Sequence, residues 1–109
     1  SLVVGQRNVT IVPSQDLYLM NNSFVIEKSG EFAQRLLQDS DDEKGRVELA
    51  YQIALSRLPT STEQQKALRF VQEIQQSLPD TQSNDQKQLT AWTSFCQALF
   101  VSSEFRYLP

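Results

Sequence analysis

The sequence predicts an all-α fold, a compact bundle of four to five helices with an extended N-terminal arm. Three observations carry that expectation. Apolar residues recur at helical spacing through most of the chain, which gathers them on one face of each segment. Glycine and proline are scarce, three and four among 109 residues, too few to punctuate a turn-rich β-sandwich. Two helical segments also meet at a legible stop-and-start signal, Leu58-Pro59-Thr60-Ser61-Thr62-Glu63. There the proline forces the preceding residue out of helical space, and Thr60 with Glu63 opens the next helix.

Taken in order, Ser1 to Pro13 is rich in β-branched residues, including Val3, Val4, Val9, Ile11 and Val12. One strand has no partner elsewhere in the chain. Residues 1–13 therefore read as an extended arm or a linker from a longer protein, and residues 14–109 as the helical domain. The chain opens without an initiator methionine or a signal peptide, so it reads as a piece of a longer polypeptide, and its targeting is not decided by this sequence. Pro13-Ser14-Gln15-Asp16 is a helix start signal. It predicts a short helix over Asp16 to Met20 that Asn21-Asn22 breaks.

Ser23 is the candidate cap of a second helix, Phe24 to Gln38, with Val25 or Ile26, Ser29, Ala33, Leu36 and Leu37 inward. Gly30 in its middle is unfavourable by about 1 kcal/mol relative to Ala, and close approach of another helix would compensate. Asp39-Ser40-Asp41-Asp42-Glu43-Lys44 follows as an acidic connection. It fails as an EF-hand loop, because position six from Asp39 is Lys44 and position twelve is Ala50, where glycine and a bidentate glutamate are required. Its acids instead suit the positive end of a third helix, Asp42 to Ser56.

The third and fourth helices form an αα-hairpin around which the chain is organised. Val47, Ala50, Tyr51, Ala54 and Leu58 make the inner face of the first arm. Ala67, Phe70 or Val71, Ile74 and Leu78 make that of the second. Thr60 and Glu63 have the spacing of a capping box. A polar loop, Leu78 to Asn84, leads to a fifth helix, Asp85 to Ser102. Its stripe of Leu89, Trp92, Phe95, Cys96, Leu99 and Phe100 is the most apolar of the chain, which predicts that this helix is central. Phe105, Tyr107 and Leu108 form an apolar tail that packs back.

Composition excludes several function classes. The net charge is −3, with ten basic residues scattered among thirteen acids. Nucleic-acid binding needs a basic patch for phosphate contacts, so no nucleic-acid partner is expected, and a helix-turn-helix reading of the hairpin fails on its near-neutral second helix. No apolar run approaches the length that spans a bilayer, so no membrane insertion by this chain is expected. Histidine is absent and Cys96 is the single cysteine. That removes the commonest metal ligand and general base, and a cysteine within an apolar stripe is expected to be buried and inert. We expect no metal, no cofactor and no catalytic residue. The strongest charged constellation joins Glu48 or Glu104 to Arg46 or Arg57 near Tyr51. It reads as a structural ion pair, best drawn between Arg57 and Glu104.

Three stretches also resemble a known family. They are LYLMNNSFVIEKS (Leu17–Ser29), RVELAYQIALSRLPTSTE (Arg46–Glu63) and AWTSFCQALFVSSEFRYL (Ala91–Leu108). In order and spacing they resemble the C-terminal part of the planctomycete PSD domain, a domain of unknown function, over about Gln15 to Leu108. Leu19, Asn21, Phe24 and Val25 carry the first match. Arg46, Tyr51, Ala54, Leu55, Arg57, Pro59, Thr60 and Glu63 carry the second, and Ala91, Trp92, Ala98, Leu99, Glu104 and Phe105 the third. Ser23 and Leu58 stand where relatives have proline, and Val101 and Ser103 where they have asparagine, which puts any role of those asparagines in doubt here.

The resemblance implies a C-terminal helical module of a larger bacterial envelope or secreted protein, hence an extracytoplasmic location, periplasmic or secreted. It implies no activity, and haem in relatives belongs to a separate cytochrome-like domain. The expected function is a non-catalytic structural or interaction module that packs on upstream domains of the same protein or on another protein. The alternative is part of an enzyme or ligand-binding site completed by upstream domains.

Overall fold

The first helix, α1 (Ser23–Asp39), begins where Asn22 leaves extended backbone and accepts two otherwise orphaned N–H groups on its side-chain oxygen, from Phe24 at 2.9 Å and Val25 at 3.3 Å. The cap is thus Asn22, one residue ahead of the expected Ser23. An amide oxygen stands further from its backbone than a hydroxyl and reaches both donors. The computed structural model describes residues 21–106, with side chains up to Ser102. The N-terminal arm, the Asp16–Met20 helix and the Tyr107–Leu108 tail lie outside those residues, as does the side chain of Phe105.

Three more helices follow: α2 (Glu43–Leu55), α3 (Ser61–Ser77) and α4 (Asn84–Arg106). No strand occurs among the described residues. At the start of α2, the Asp42 carboxylate accepts from Gly45 N–H at 3.1 Å, and the Ser40 hydroxyl donates to the Asp42 carbonyl at 3.1 Å. This compact turn explains Gly45. A Cβ there would lie 2.8 Å from Ser40 Oγ. The helix stops at Ser56, whose φ of 58° is left-handed, the conformation that commonly closes helices and that glycine adopts with least strain. Helix α4 starts one residue earlier than the spacing predicts, with the Ser83 hydroxyl accepting from Gln86 N–H at 3.1 Å, and it continues beyond Ser102.

Helix α4 lies between α1 and α3, which do not touch each other, and its contact with α1 is the most extensive in the fold. Helix α2 closes the arrangement by packing on all three others. The core comes from every helix: Phe32, Ala33 and Leu36; Val47, Ala50 and Tyr51; Ala67 and Val71; Ala91, Trp92, Phe95, Cys96 and Leu99. Phe32 and Phe100 stack across α1 and α4 with ring centroids 5.2 Å apart.

Of the alternatives Phe70 and Val71, Val71 faces the core and Phe70 is 38% exposed, whereas Leu58, expected inward, is 57% exposed in the connection between α2 and α3. Leu58 follows the left-handed residue, so the helical register that would have turned it inward has already ended. Gly30 is not a point of close helix approach. A Cβ there would meet nothing within 4 Å among the described residues.

The two glycines therefore predict opposite outcomes. Gly30→Ala should raise stability by roughly 1 kcal/mol, the propensity difference with no steric cost. Gly45→Ala should forfeit that gain by displacing the Ser40 hydroxyl. Urea unfolding of both variants checks the contrast. Ser56→Gly should likewise stabilise, by up to about 1 kcal/mol, by relieving the left-handed serine; an unchanged or lower midpoint counts against that account.

Candidate functional site

Arg57 and Glu63 form an ion pair in contact with Thr60 and Tyr51. It assembles because the chain reverses between α2 and α3, which puts the residue after the helix end beside the first turn of the next helix. Arg57 donates through Nη1 to Glu63 Oε1 at 2.8 Å and through Nη2 to Oε2 at 2.9 Å. Glu63 Oε1 also accepts from Thr60 N–H at 2.9 Å, and Thr60 Oγ1 accepts from Glu63 N–H at 3.1 Å. The Arg57 guanidinium sits 5.5 Å from the centroid of the Tyr51 ring, a cation–π distance. A capping box and a bidentate ion pair thus share one carboxylate.

The electrostatic consequence follows from those bonds. Hydrogen bonding from Arg57, then from the Thr60 backbone, pulls the Glu63 carboxyl from an ordinary 4.5 down to about 2. A carboxylate held ionised, with both oxygens already accepting hydrogen bonds, is poorly matched to proton transfer near neutral pH. The cluster braces a turn.

The sequence suggests a pairing of Arg57 with Glu104. In the structure its guanidinium is engaged by Glu63, and the side chain of Glu104 lies outside the described residues. Glu48 is half-buried on α2, and no ion pair joins it to Arg46 or Arg57 among the described residues. Arg46 is instead 7% exposed, with its guanidinium 5.7 Å from the centroid of the Trp92 ring and its Nε–H donating to the Ser40 carbonyl at 2.8 Å. Of the expected constellation, Arg57 does lie beside Tyr51, Glu48 makes no ion pair with Arg46 or Arg57 among the described residues, and the pairing with Glu104 falls outside the described side chains. Burial pushes the Cys96 thiol up to about 12, so it stays protonated and poorly nucleophilic. Among the described residues no group of three or more possible ligands is placed to hold a metal ion, and no helix is long and apolar enough to cross a membrane.

The feature that sequence reasoning missed is a groove of about 650 Å³ along α1 from Phe24 to Arg35, closed by the last turn of α2 and the C-terminal part of α4. Phe24, Phe32, Ile53 and Phe100 supply its apolar surface, and Lys28, Glu31 and Arg35 its rim. Phe24 is 63% exposed and Ile53 41%. The rim charges have partners already: Lys28 with Glu31 at 3.2 Å, and Arg35 with Asp39 at 3.5 Å. One sequence signal pointed here. Ile53 is a large apolar residue off the inward stripe of α2, and such outliers mark surfaces that something else covers.

The chain matches the family described as "PSD1: Protein of unknown function (DUF1553)" over residues 1–71. It belongs to that family. The match takes in the first two of the three motif stretches and every wall of the groove except Phe100, while the Ala91–Leu108 stretch lies beyond it. It also begins at residue 1, ahead of the stretch over which the motifs were recognised. No curated protein and no solved structure matches the chain. The PSD1 assignment therefore brings a family but no activity.

The Glu63 brace predicts an acid-sensitive contribution to stability. A carboxyl with a depressed folded-state pKa stabilises the native state above its unfolded value, and that contribution disappears as pH falls through the folded value. It should be complete above about pH 5, and fade between the ordinary 4.5 and about 2. Glu63→Gln should cost about 1 kcal/mol at pH 7, a cap plus a partly solvated pair. The difference from the parent chain should vanish near pH 2; a difference independent of pH would rule out the ionised brace.

Proposed function

We propose that this PSD1-family chain is a non-catalytic helical packing module at the C-terminal end of a larger envelope or secreted bacterial protein. Its groove is the face that docks. The observation that carries the reading is the exposure of Phe24 and Ile53 at the mouth of an apolar groove. Contiguous exposed apolar surface of this kind marks interaction sites. Small-molecule sites add a few convergent polar groups that orient the ligand. Here the rim charges satisfy one another, so the groove offers apolar contact with a neutral margin, which suits a polypeptide surface. The extracytoplasmic location rests on the family resemblance.

Cross-linking of the full-length protein tests the reading. Lys28, on the groove rim, should form links to residues outside 21–106, in the same polypeptide or in a partner. Ile53→Asp should suppress those links while leaving the helical content unchanged. Links that persist in the variant, or their absence from Lys28 when other lysines do link, would remove the groove as a docking face.

A further inference from the structure

We propose that the groove face is where two copies of this chain meet, α1 against α1 in antiparallel order about a twofold axis. The inference rests on the groove being a docking face and names its occupant. Two observations carry it.

The first is a symmetric pattern of charge. Phe24, Lys28, Glu31 and Arg35 all line the groove, and their spacing along α1 puts them on one face of the helix. Phe24 and Arg35 stand equally far from the Ser29–Gly30 peptide, and so do Lys28 and Glu31. Two such faces laid antiparallel about that point set Lys28 of each copy against Glu31 of the other. They also set Arg35 of each copy against the Phe24 ring of the other. Opposite charges then meet twice, and a cation meets an aromatic ring twice. A twofold contact needs a surface that complements its own reverse. An unrelated partner imposes no such symmetry.

The second is availability. The Lys28 and Glu31 side chains are 46% and 56% exposed and that of Arg35 is 61% exposed, while Phe24 is the most exposed of the large apolar residues described. An ion pair this open to solvent contributes little by itself. Against a second copy, the Lys28–Glu31 pair becomes half of a ring of four alternating charges, and its 3.2 Å contact within α1 need not break. Lys28 already stands 5.6 Å from the centroid of the Phe24 ring, so Arg35 of the other copy adds to a contact that the ring makes at present.

The extent of the face sets the strength. Phe24 to Arg35 spans about 16 Å of helix, and Ile53 and Phe100 widen the contact at the groove. Three turns with a narrow apolar margin fall short of the roughly 800 Å² per partner of a standard interface. The dimer should therefore be reversible, with a dissociation constant weaker than about 1 μM.

Sedimentation equilibrium of the intact chain, from micromolar to millimolar concentration, tests the proposal. The parent should dimerise reversibly. Lys28→Glu sets like charges against each other on both sides of the axis, and Glu31→Lys does the same with the opposite sign. Each variant alone should weaken the dimer by roughly tenfold or more, because like charges brought together oppose association. An equimolar mixture of the two should recover a heterodimer of about the parent's strength, since every facing pair is again opposite in sign. Both sites are exposed, so circular dichroism should show each variant folded. A parent that stays monomeric would overturn the proposal. So would single variants that dimerise as the parent does, or a mixture of folded variants that stays monomeric. The Lys28 cross-links of the full-length protein decide the docking face separately. With a monomeric parent, links that Ile53→Asp suppresses assign the groove to a different polypeptide, and their absence removes it as a docking face.

Discussion

Trp92, with Arg46 laid over its ring, is the contact on which the described fold depends most. Trp92 is fully buried in the middle of α4, the helix that separates α1 from α3. Phe95 packs edge-on against it at 5.7 Å between centroids, a favoured aromatic geometry. From its other neighbour, α2, Arg46 brings a charge into the interior with no carboxylate to meet it among the salt bridges of the described residues. The aromatic face and the Ser40 carbonyl take that role. Ser40 is the C-cap of α1, where unpaired carbonyls concentrate negative potential. One side chain thus ties the end of α1, the start of α2 and the centre of α4.

The arrangement has a polar cost at its centre. The indole Nε1–H of Trp92 is buried without a hydrogen-bond partner among the described residues, a penalty of about 1–3 kcal/mol for a typical buried donor. The fold tolerates this because the large ring area removed from water and the cation above it outweigh one unmet bond. A second brace, the Arg57–Glu63 pair over Tyr51, works at the surface and fixes the reversal between α2 and α3. The two arginines therefore hold opposite ends of α2 by different physics, one by burial against an aromatic face and the other by a bidentate, half-solvated ion pair.

Charged side chains that anchor turns are unavailable for chemistry, and this shapes the functional reading. Glu63 is committed to a cap and an arginine. Arg46 is shut inside the core, and Cys96 is held protonated by burial. Beside these, the groove leaves Phe24 and Ile53 exposed. The family assignment adds no activity to this picture, so the reading rests on surface character rather than on a catalytic constellation.

Helical periodicity determined the all-α class, the existence of all four described helices and most of their inward residues, because burying one face of a helix imposes that spacing whatever the partner. Local capping chemistry was equally legible at Thr60 and Glu63, which lie three residues apart. Asn22 was missed as a cap since two adjacent residues could serve and only backbone geometry separates them. The partner of Arg57, the face of Leu58 and the open space at Gly30 were decided by tertiary structure. Each depends on how the chain turns after Ser56 and on the distances between helices, which no sequence spacing encodes. The groove belongs to the same class. Its walls come from residues 24 to 100, brought together only when α1, the end of α2 and α4 are packed.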